Sequence, residues 1–320
     1  MRRIGHGAIV VGTLAGSDEV IAAEAALDQP ASAAVQSVPD PTQNASRGVL
    51  TGWDAAMFGI ALAVIAMFFW RGWNRLRDAP QRFTAIAPVT GLAFYAAFYL
   101  LGLSGAAVAA KAWGIDLATA AQSLHDGARV LLGAYCGQAI VLGLLVYLHV
   151  RAPKSPVQSR TNAVKAGAIG LIGVLLSFPV VMAAGGLVAW VIWLVRGEPV
   201  DMIAHETLRL FMDNPVDGWY IAMVVMVLII APMMEEVMYR GLMQTALVEF
   251  GIGRWPAIGV TSAIFALMHA GIAAPHALVA LFVFSLGLGC VYERTGRLVA
   301  PIVMHAVFNA ANFGLALAIA

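Results

Sequence analysis

Charge is scarce in this sequence. Asp, Glu, Lys and Arg make up 12% of its 320 residues, about half the share of a soluble globular domain, so the folded chain cannot cover itself with a water-compatible surface. Cysteine is nearly absent. Cys136 and Cys290 both lie in apolar runs, which argues against a disulfide framework or a thiolate metal site and makes them small buried hydrophobes. Net charge is only +1, so no bulk field recruits nucleic acid or acidic ligands. A Gly-rich phosphate loop and a basic-aromatic nucleic-acid surface are missing as well. No HExxH motif is complete: His205 and Glu206 begin one, but Arg209 occupies the second histidine position. No serine stands in a recognisable nucleophile setting, which leaves a rhomboid-type serine mechanism unsupported.

What is abundant is apolar sequence, at 61% of the chain. A hydrocarbon core about 30 Å thick needs about 20 apolar helical residues to cross it. Eight stretches approach that length, near 53–70, 86–110, 129–150, 166–195, 219–250, 256–272, 275–293 and 298–318. The expected fold is therefore all-α, a polytopic transmembrane helical bundle of about eight spans, with Pro179 kinking the fourth. Three regions follow: a tail at 1–50, transmembrane helices over 51–217, and a polar-bearing C-terminal set of helices over 218–320. The tail is rich in Ala, Ser, Pro and Gln and lacks a sustained apolar face, so it reads as disordered or extracytoplasmic. Arg2 and Arg3 before the short patch Ala8 to Leu14 resemble the start of a signal peptide, but glycine interrupts the patch and no convincing cleavage site follows.

Basic residues cluster in alternate loops. Arg71, Arg75, Arg77 and Arg82 follow the first span, Arg151, Lys154, Arg160 and Lys165 the third, and Arg294 and Arg297 the seventh. Short basic loops resist translocation, so these three are expected on the cytoplasmic side of the plasma (cell inner) membrane, with both termini outside. The opposite loops carry Lys111 and Arg129 beside Asp116 and Asp126, and Arg196 and Arg209 among five acidic residues from Glu198 to Asp217. HETLRLFMDNP in that last loop reads as an amphipathic or loop segment. His276, beside Pro275, is expected in solvent.

Ionisable side chains cost about 2.5 to 3.5 kcal/mol each at the centre of a membrane helix, so each needs a partner or a purpose. They concentrate in the last third. APMMEEVMYRGLMQ ends the fifth span with Glu235, Glu236 and Arg240; FALMHA places His269 in the sixth; MHAVFNAAN places His305, Asn309 and Asn312 in the eighth. Glu236 and Arg240 are four apart and can pair on one helix face, while Glu235 points about 100° away and stays freer. One clamped and one available carboxylate result. His305, Asn309 and Asn312 form a polar stripe that must face protein or a water-filled cavity. If the turn falls at Gly251 to Gly253, an antiparallel hairpin brings Glu235 and His269 level. The fifth helix would then run about 48 Å at 1.5 Å per residue, so its end projects from the membrane or breaks.

EExxxR at 235–240, FxxxH at Phe265 to His269 and HxxxN at His305 to Asn309, in that order on separate spans, resemble the CPBP family of intramembrane peptidases, which includes the type II CAAX prenyl endopeptidases and the bacterial Abi proteins. The resemblance covers roughly residues 219–318. It implies an intramembrane endopeptidase acting on a peptide or protein substrate in or at the lipid bilayer. It also implies that Glu235 with His269 activates a water, that Arg240 orients Glu235 and Glu236, and that His305 with Asn309 stabilises the oxyanion. The family has been described both as metal-free glutamate proteases and as metal-dependent. No cofactor is the first expectation, and zinc on two histidines and a glutamate is the alternative.

Blander readings accompany each motif. The glutamates and Arg240 could snorkel where a helix leaves the membrane, and His305 with Asn309 could be interhelical packing glue. Ser285, Gly287 and Gly289 read as a small-residue strip for close helix contact, Phe265 as wall, and Met233, Met234 and Met238 as core filling. The functional alternative is a non-proteolytic transporter or scaffold that uses the buried Glu/His/Asn cluster for proton relay or packing, although the first four spans hold no comparable charge cluster.

Overall fold

A computed structural model describes residues 52–76, 86–151, 161–197, 200 and 206–319. The tail at 1–50, and Arg77, Arg82, Lys154, Arg160 and His205, lie outside the described residues. Among the described residues the fold is a helical bundle without β-strands. Its helices are α1 (Gly52–Trp70), α2 (Pro88–Trp113), α3 (Leu124–Arg151), α4 (Ala163–Arg196), α5 (Glu206–Asp213), α6 (Gly218–Glu249), α7 (Arg254–Leu267), α8 (Pro275–Thr295) and α9 (Val299–Ile319). All but α5 and α7 are long and apolar enough to cross a membrane, which makes seven among the described residues.

The sixth expected span is the one that shortens. Helix α7 has 14 residues, about 21 Å at 1.5 Å per residue, less than a hydrocarbon core. The chain turns directly after it: the amides of Ile272 and Ala273 both donate to the carbonyl of His269, at 3.0 and 2.9 Å. Pro275 then opens α8. Residues 268–272 extend the apolar run without extending the helix, so His269 sits in a turn at the end of α7.

Local signals mark the other ends. Asn162 caps α4 by accepting from the Lys165 amide at 2.8 Å, and Asp217 caps α6 by accepting from the Tyr220 amide at 2.8 Å. That amide is the main reason the Asp217 carboxyl is held below the usual carboxylate range, with His125 contributing further. The turn expected between the fifth and sixth helices is present, with Gly251 and Gly253 at φ of +85° and +87°, a conformation that favours glycine. Pro179 lies inside a continuous α4.

The loops sort into two ends. At one, Arg254 of α7 donates to the Leu76 carbonyl, the Trp255 indole to the Asn74 carbonyl at 2.8 Å, Arg294 to the Trp73 carbonyl and Arg297 to the Thr161 carbonyl. The three basic loops therefore share one end of the bundle, as their charge suggested. At the other, His125 pairs with Asp217 at 2.8 Å and Trp113 packs edge-on against Trp219 at 6.2 Å. Segment 206–213 is an amphipathic helix whose Phe211 is buried against Tyr220 and Phe313.

Packing differs along the chain. Helices α2 and α3 meet through glycine: a Cβ at Gly105 would strike the Gly133 carbonyl, and one at Gly137 the Leu101 carbonyl. Such small residues let membrane helices approach backbone to backbone. Helix α6 is the most enclosed span, with 44% of its apolar window buried against 6% for α1. Cys290 is buried, but Cys136 is exposed on α3, because an apolar run in a membrane bundle does not distinguish a lipid-facing side from a core-facing one. His276 is partly buried and has a partner rather than standing free in solvent.

Candidate active site

The site is built on an irregular stretch of α6. Residues Met226–Ile230 are π-helical, and the Ala231 amide reaches back five residues to the Met226 carbonyl. In that register the next amide would serve Val227, but the next residue is Pro232, which has no N–H. A carbonyl left bare inside a bundle is costly. Asn309 of α9 supplies the missing donor, its Nδ2 lying 3.0 Å from the Val227 carbonyl oxygen. A second π-helical stretch, Val237–Gln244, follows the glutamates directly. Short π-helical insertions recur at functional sites because they re-aim side chains.

Glu236 and Arg240 form the expected pair. Arg240 Nη1 donates to Glu236 Oε1 at 3.0 Å, and both side chains are fully buried. His305 of α9 joins them from the other side, its Nδ1 2.8 Å from the same Oε1. A carboxylate only accepts, so Nδ1 carries the proton and donates to Glu236. The opposite ring nitrogen, Nε2, then faces Glu235 Oε2 at 3.9 Å. Glu235 keeps 26% of its side chain exposed, whereas Glu236 keeps none. The division into a clamped and an available carboxylate is thus present, with His305 between the two.

His269 is held differently. Its Nδ1 lies 2.8 Å from the Phe265 carbonyl, one turn earlier, so Nδ1 donates and Nε2 is the uncommitted ring nitrogen. It makes neither a hydrogen bond nor an ion pair with Glu235. His269 lies just past the end of α7, and no direct contact joins it to Glu235. Phe265 is what relates the two imidazoles, with ring centroids 4.9 Å from His269 and 5.8 Å from His305. The same ring carries the Arg240 guanidinium at 5.1 Å. Phe284 closes the other side of His305 at 5.5 Å. Asn312 donates to Phe308 within its own helix at 2.9 Å and joins none of this.

Two kinds of contributor, a serine and a pair of tyrosines, carried no recognised role in the sequence. Ser285, expected as a packing residue, anchors the far end of Arg240: Nη2 donates to Ser285 Oγ at 2.6 Å and to its carbonyl at 3.1 Å. Tyr135 of α3 and Tyr239 of α6 lie within electrostatic reach of Glu235, so a helix from the first half of the chain contributes to the wall. Only the four-residue spacing of Ser285, Gly289 and Glu293, matching that of Glu236, Arg240 and Gln244, could have signalled the first. Nothing in the sequence signalled the second. Met234 and Met238 fill the apolar core with Phe98, Val141 and Phe265.

The zinc alternative requires Glu235, His269 and His305 to converge on one point. Among the described residues no three His, Cys, Asp or Glu side chains are disposed to hold a metal ion, so as placed in the structure these three do not form that set. Nδ1 of each imidazole faces a protein oxygen and leaves Nε2 as the uncommitted ring nitrogen.

Comparison with known proteins bears on the same segment. Neither the curated proteins nor the solved structures give a match. Residues 217–311 match the family model described as type II CAAX prenyl endopeptidase Rce1-like. That stretch contains Glu235, Glu236, Arg240, His269, His305 and Asn309, in agreement with the family that the three motifs indicated. The chain is therefore a multi-pass membrane protein whose residues 217–311 match the Rce1-like model of the CAAX protease family.

Proposed function

We propose that this protein is an intramembrane endopeptidase of the plasma membrane that hydrolyses peptide bonds of membrane-associated substrates with a water activated by Glu235 and His305. The observation that carries the reading is the pair of separations at His305: 2.8 Å from Nδ1 to Glu236 and 3.9 Å from Nε2 to Glu235. The first fixes the tautomer. The second is too long for a direct hydrogen bond but lets one water lie within hydrogen-bond reach of both groups.

In this scheme Glu236, paired with Arg240 at 3.0 Å, orients the imidazole. Glu235 takes a proton from the water as its oxygen attacks the scissile carbonyl carbon. The tetrahedral intermediate then collapses, the C–N bond breaks, and Glu235 returns the proton to the leaving nitrogen. His269, partly exposed and fixed through Nδ1, presents Nε2 to the oxyanion when protonated. Asn309 spends one Nδ2 hydrogen on Val227, which ties α9 to α6 and leaves its second hydrogen for the site. All of these are protein groups, and none requires a metal ion.

The substrate class follows from the setting. The site lies among spans that meet lipid, and Glu235 is its accessible acid, which suits a peptide presented at the membrane rather than a soluble protein. The test compares protein termini in membranes holding the wild type with those holding Glu235→Gln. A set of new N-termini that depends on Glu235 supports the reading; identical termini overturn it in favour of a transporter or scaffold.

A further inference from the structure

Glu236, Arg240 and Gln244 follow one another at four-residue intervals on α6, and all three are fully buried. Ser285, Gly289 and Glu293 follow at the same interval on α8. The two rows interlock. Arg240 Nη2 donates to Ser285 Oγ at 2.6 Å and to the Ser285 carbonyl at 3.1 Å, and Gln244 Nε2 donates to the Gly289 carbonyl at 3.3 Å and to Glu293 Oε1 at 2.9 Å. Glu293 continues to Arg254 of α7 at 3.3 Å. Thr245, next on α6, meets the Tyr292 hydroxyl at 3.0 Å. Gly289 is required where the rows touch, because a Cβ there would lie 2.9 Å from both Gln244 Oε1 and Ile258.

We infer that Ser285 is a positioning residue of the site, acting through Arg240 and Glu236 to fix the tautomer and aim of His305. The guanidinium has two ends with different duties. Nη1 serves Glu236 at 3.0 Å, and Nη2 is held by Ser285. Arg240 is on a π-helical stretch, and its side chain spans from its own helix to α8, so without Ser285 Oγ the Nη2 end keeps only the Ser285 carbonyl at 3.1 Å and loses its shortest contact. The guanidinium, held at three acceptors including Glu236, is left with two and is less firmly aimed. Glu236 Oε1 would follow, since it is shared between Arg240 and His305, and the imidazole would lose the partner that selects Nδ1–H. The lower rungs at Gln244, Glu293 and Arg254 tie α6, α7 and α8 together but contact neither Glu235 nor Glu236, so within this ladder the positioning role falls to Ser285.

This inference rests on the peptidase reading, and its test separates the two. Ser285→Ala, Ser285→Val and Ser285→Thr are made in the full chain and purified with the wild type and Glu235→Gln. Valine and threonine share a shape, so their difference isolates the hydroxyl even if the extra volume perturbs both. The first readout is kinetic, with a quenched-fluorescence peptide spanning a cleavage site found by the termini comparison. The expected kcat falls roughly ten- to a hundredfold in the alanine and valine variants, with KM within about twofold, while threonine stays within about threefold of wild type. The second readout is the nitrogen resonances of ¹⁵N-histidine, assigned with His305→Gln. A single Nδ1–H form of His305 is expected in the wild type and threonine variant, and two exchanging tautomers in the other two. With turnover in hand, either readout unchanged in alanine and valine overturns the role of Ser285. If the wild type is no more active than Glu235→Gln, the peptidase reading fails, and the nitrogen resonances alone decide whether Ser285 positions His305.

Discussion

The two halves of this bundle hold their helices together by different means. Where α2 meets α3, backbones approach through Gly105, Gly133 and Gly137, and no buried ion pair is present among the described residues of that contact. Where α6 meets α8 and α9, the contact runs through Arg240, Gln244, Ser285, Glu293 and His305. Of the buried polar or charged residues among those described, all except Thr161 lie between 236 and 305. Lipid offers no hydrophobic drive for one helix to find another, so association must come from close packing or from hydrogen bonds. Close packing requires only small side chains. Hydrogen bonds between ionised groups also fix positions and directions, which chemistry needs. The first half is a scaffold, and the second is both scaffold and site.

That contrast can be tested from its strongest consequence downward. Glu235→Gln removes the accessible acid without touching the ladder, so it should lower kcat by about 10²- to 10⁴-fold and leave the thermal midpoint in detergent unchanged. Arg240→Met strands Glu236 in the interior, and breaking a buried pair from one side costs about 3 to 5 kcal/mol. Thermal unfolding should show that loss, and adding Glu236→Gln should recover part of it. Gly105→Ala places a methyl group against the Gly133 carbonyl and forces α2 from α3, at a cost of about 1 to 3 kcal/mol. Turnover per folded molecule should stay near the wild-type value; a large fall would mean that the glycine seam is part of the site's support after all.

The smallest effect is the most specific. Asn309→Ala should cost about 0.6 kcal/mol and no more than about 1.7, the average and the maximum found by double-mutant cycles for interhelical hydrogen bonds in a membrane protein. In a Pro232→Ala background the restored amide can serve Val227 itself, and the cost of Asn309→Ala should shrink toward zero. A double-mutant cycle on unfolding reads that coupling directly. Additive costs would show that Asn309 does not replace the donor that Pro232 lacks.

Much of this was readable from residue order. Ionisable groups are so expensive in hydrocarbon that Glu235, Glu236, Arg240 and His305 had to be brought together, and the spacing of Glu236 and Arg240 alone predicted their pairing. Length and apolarity located seven of the spans. The rest depended on geometry that one-dimensional spacing does not carry. Apolarity continues through residues 268–272 although the helix stops at Leu267, so the sequence did not show that His269 sits in a turn. The bond from Asn309 to Val227 depends on a π-helical register that shifts the bare carbonyl by one residue. Cys136 and Tyr135 illustrate a general difficulty: a helix apolar all round gives no periodic signal for which face meets lipid and which meets protein. Ser285 was visible as a small residue, and only its partner across the interface gave it a task.

The central claim is that Glu235 and His305 hold one water between them while Glu236 fixes the imidazole. An experimental structure of the protein at a resolution that shows ordered solvent tests it most directly. The account predicts a water 2.6 to 3.2 Å from both Glu235 Oε2 and His305 Nε2, the range of ordinary hydrogen bonds, with His305 Nδ1 still on Glu236. A Glu235 carboxyl turned away from His305, or a metal ion bound by His305 Nε2, would contradict it.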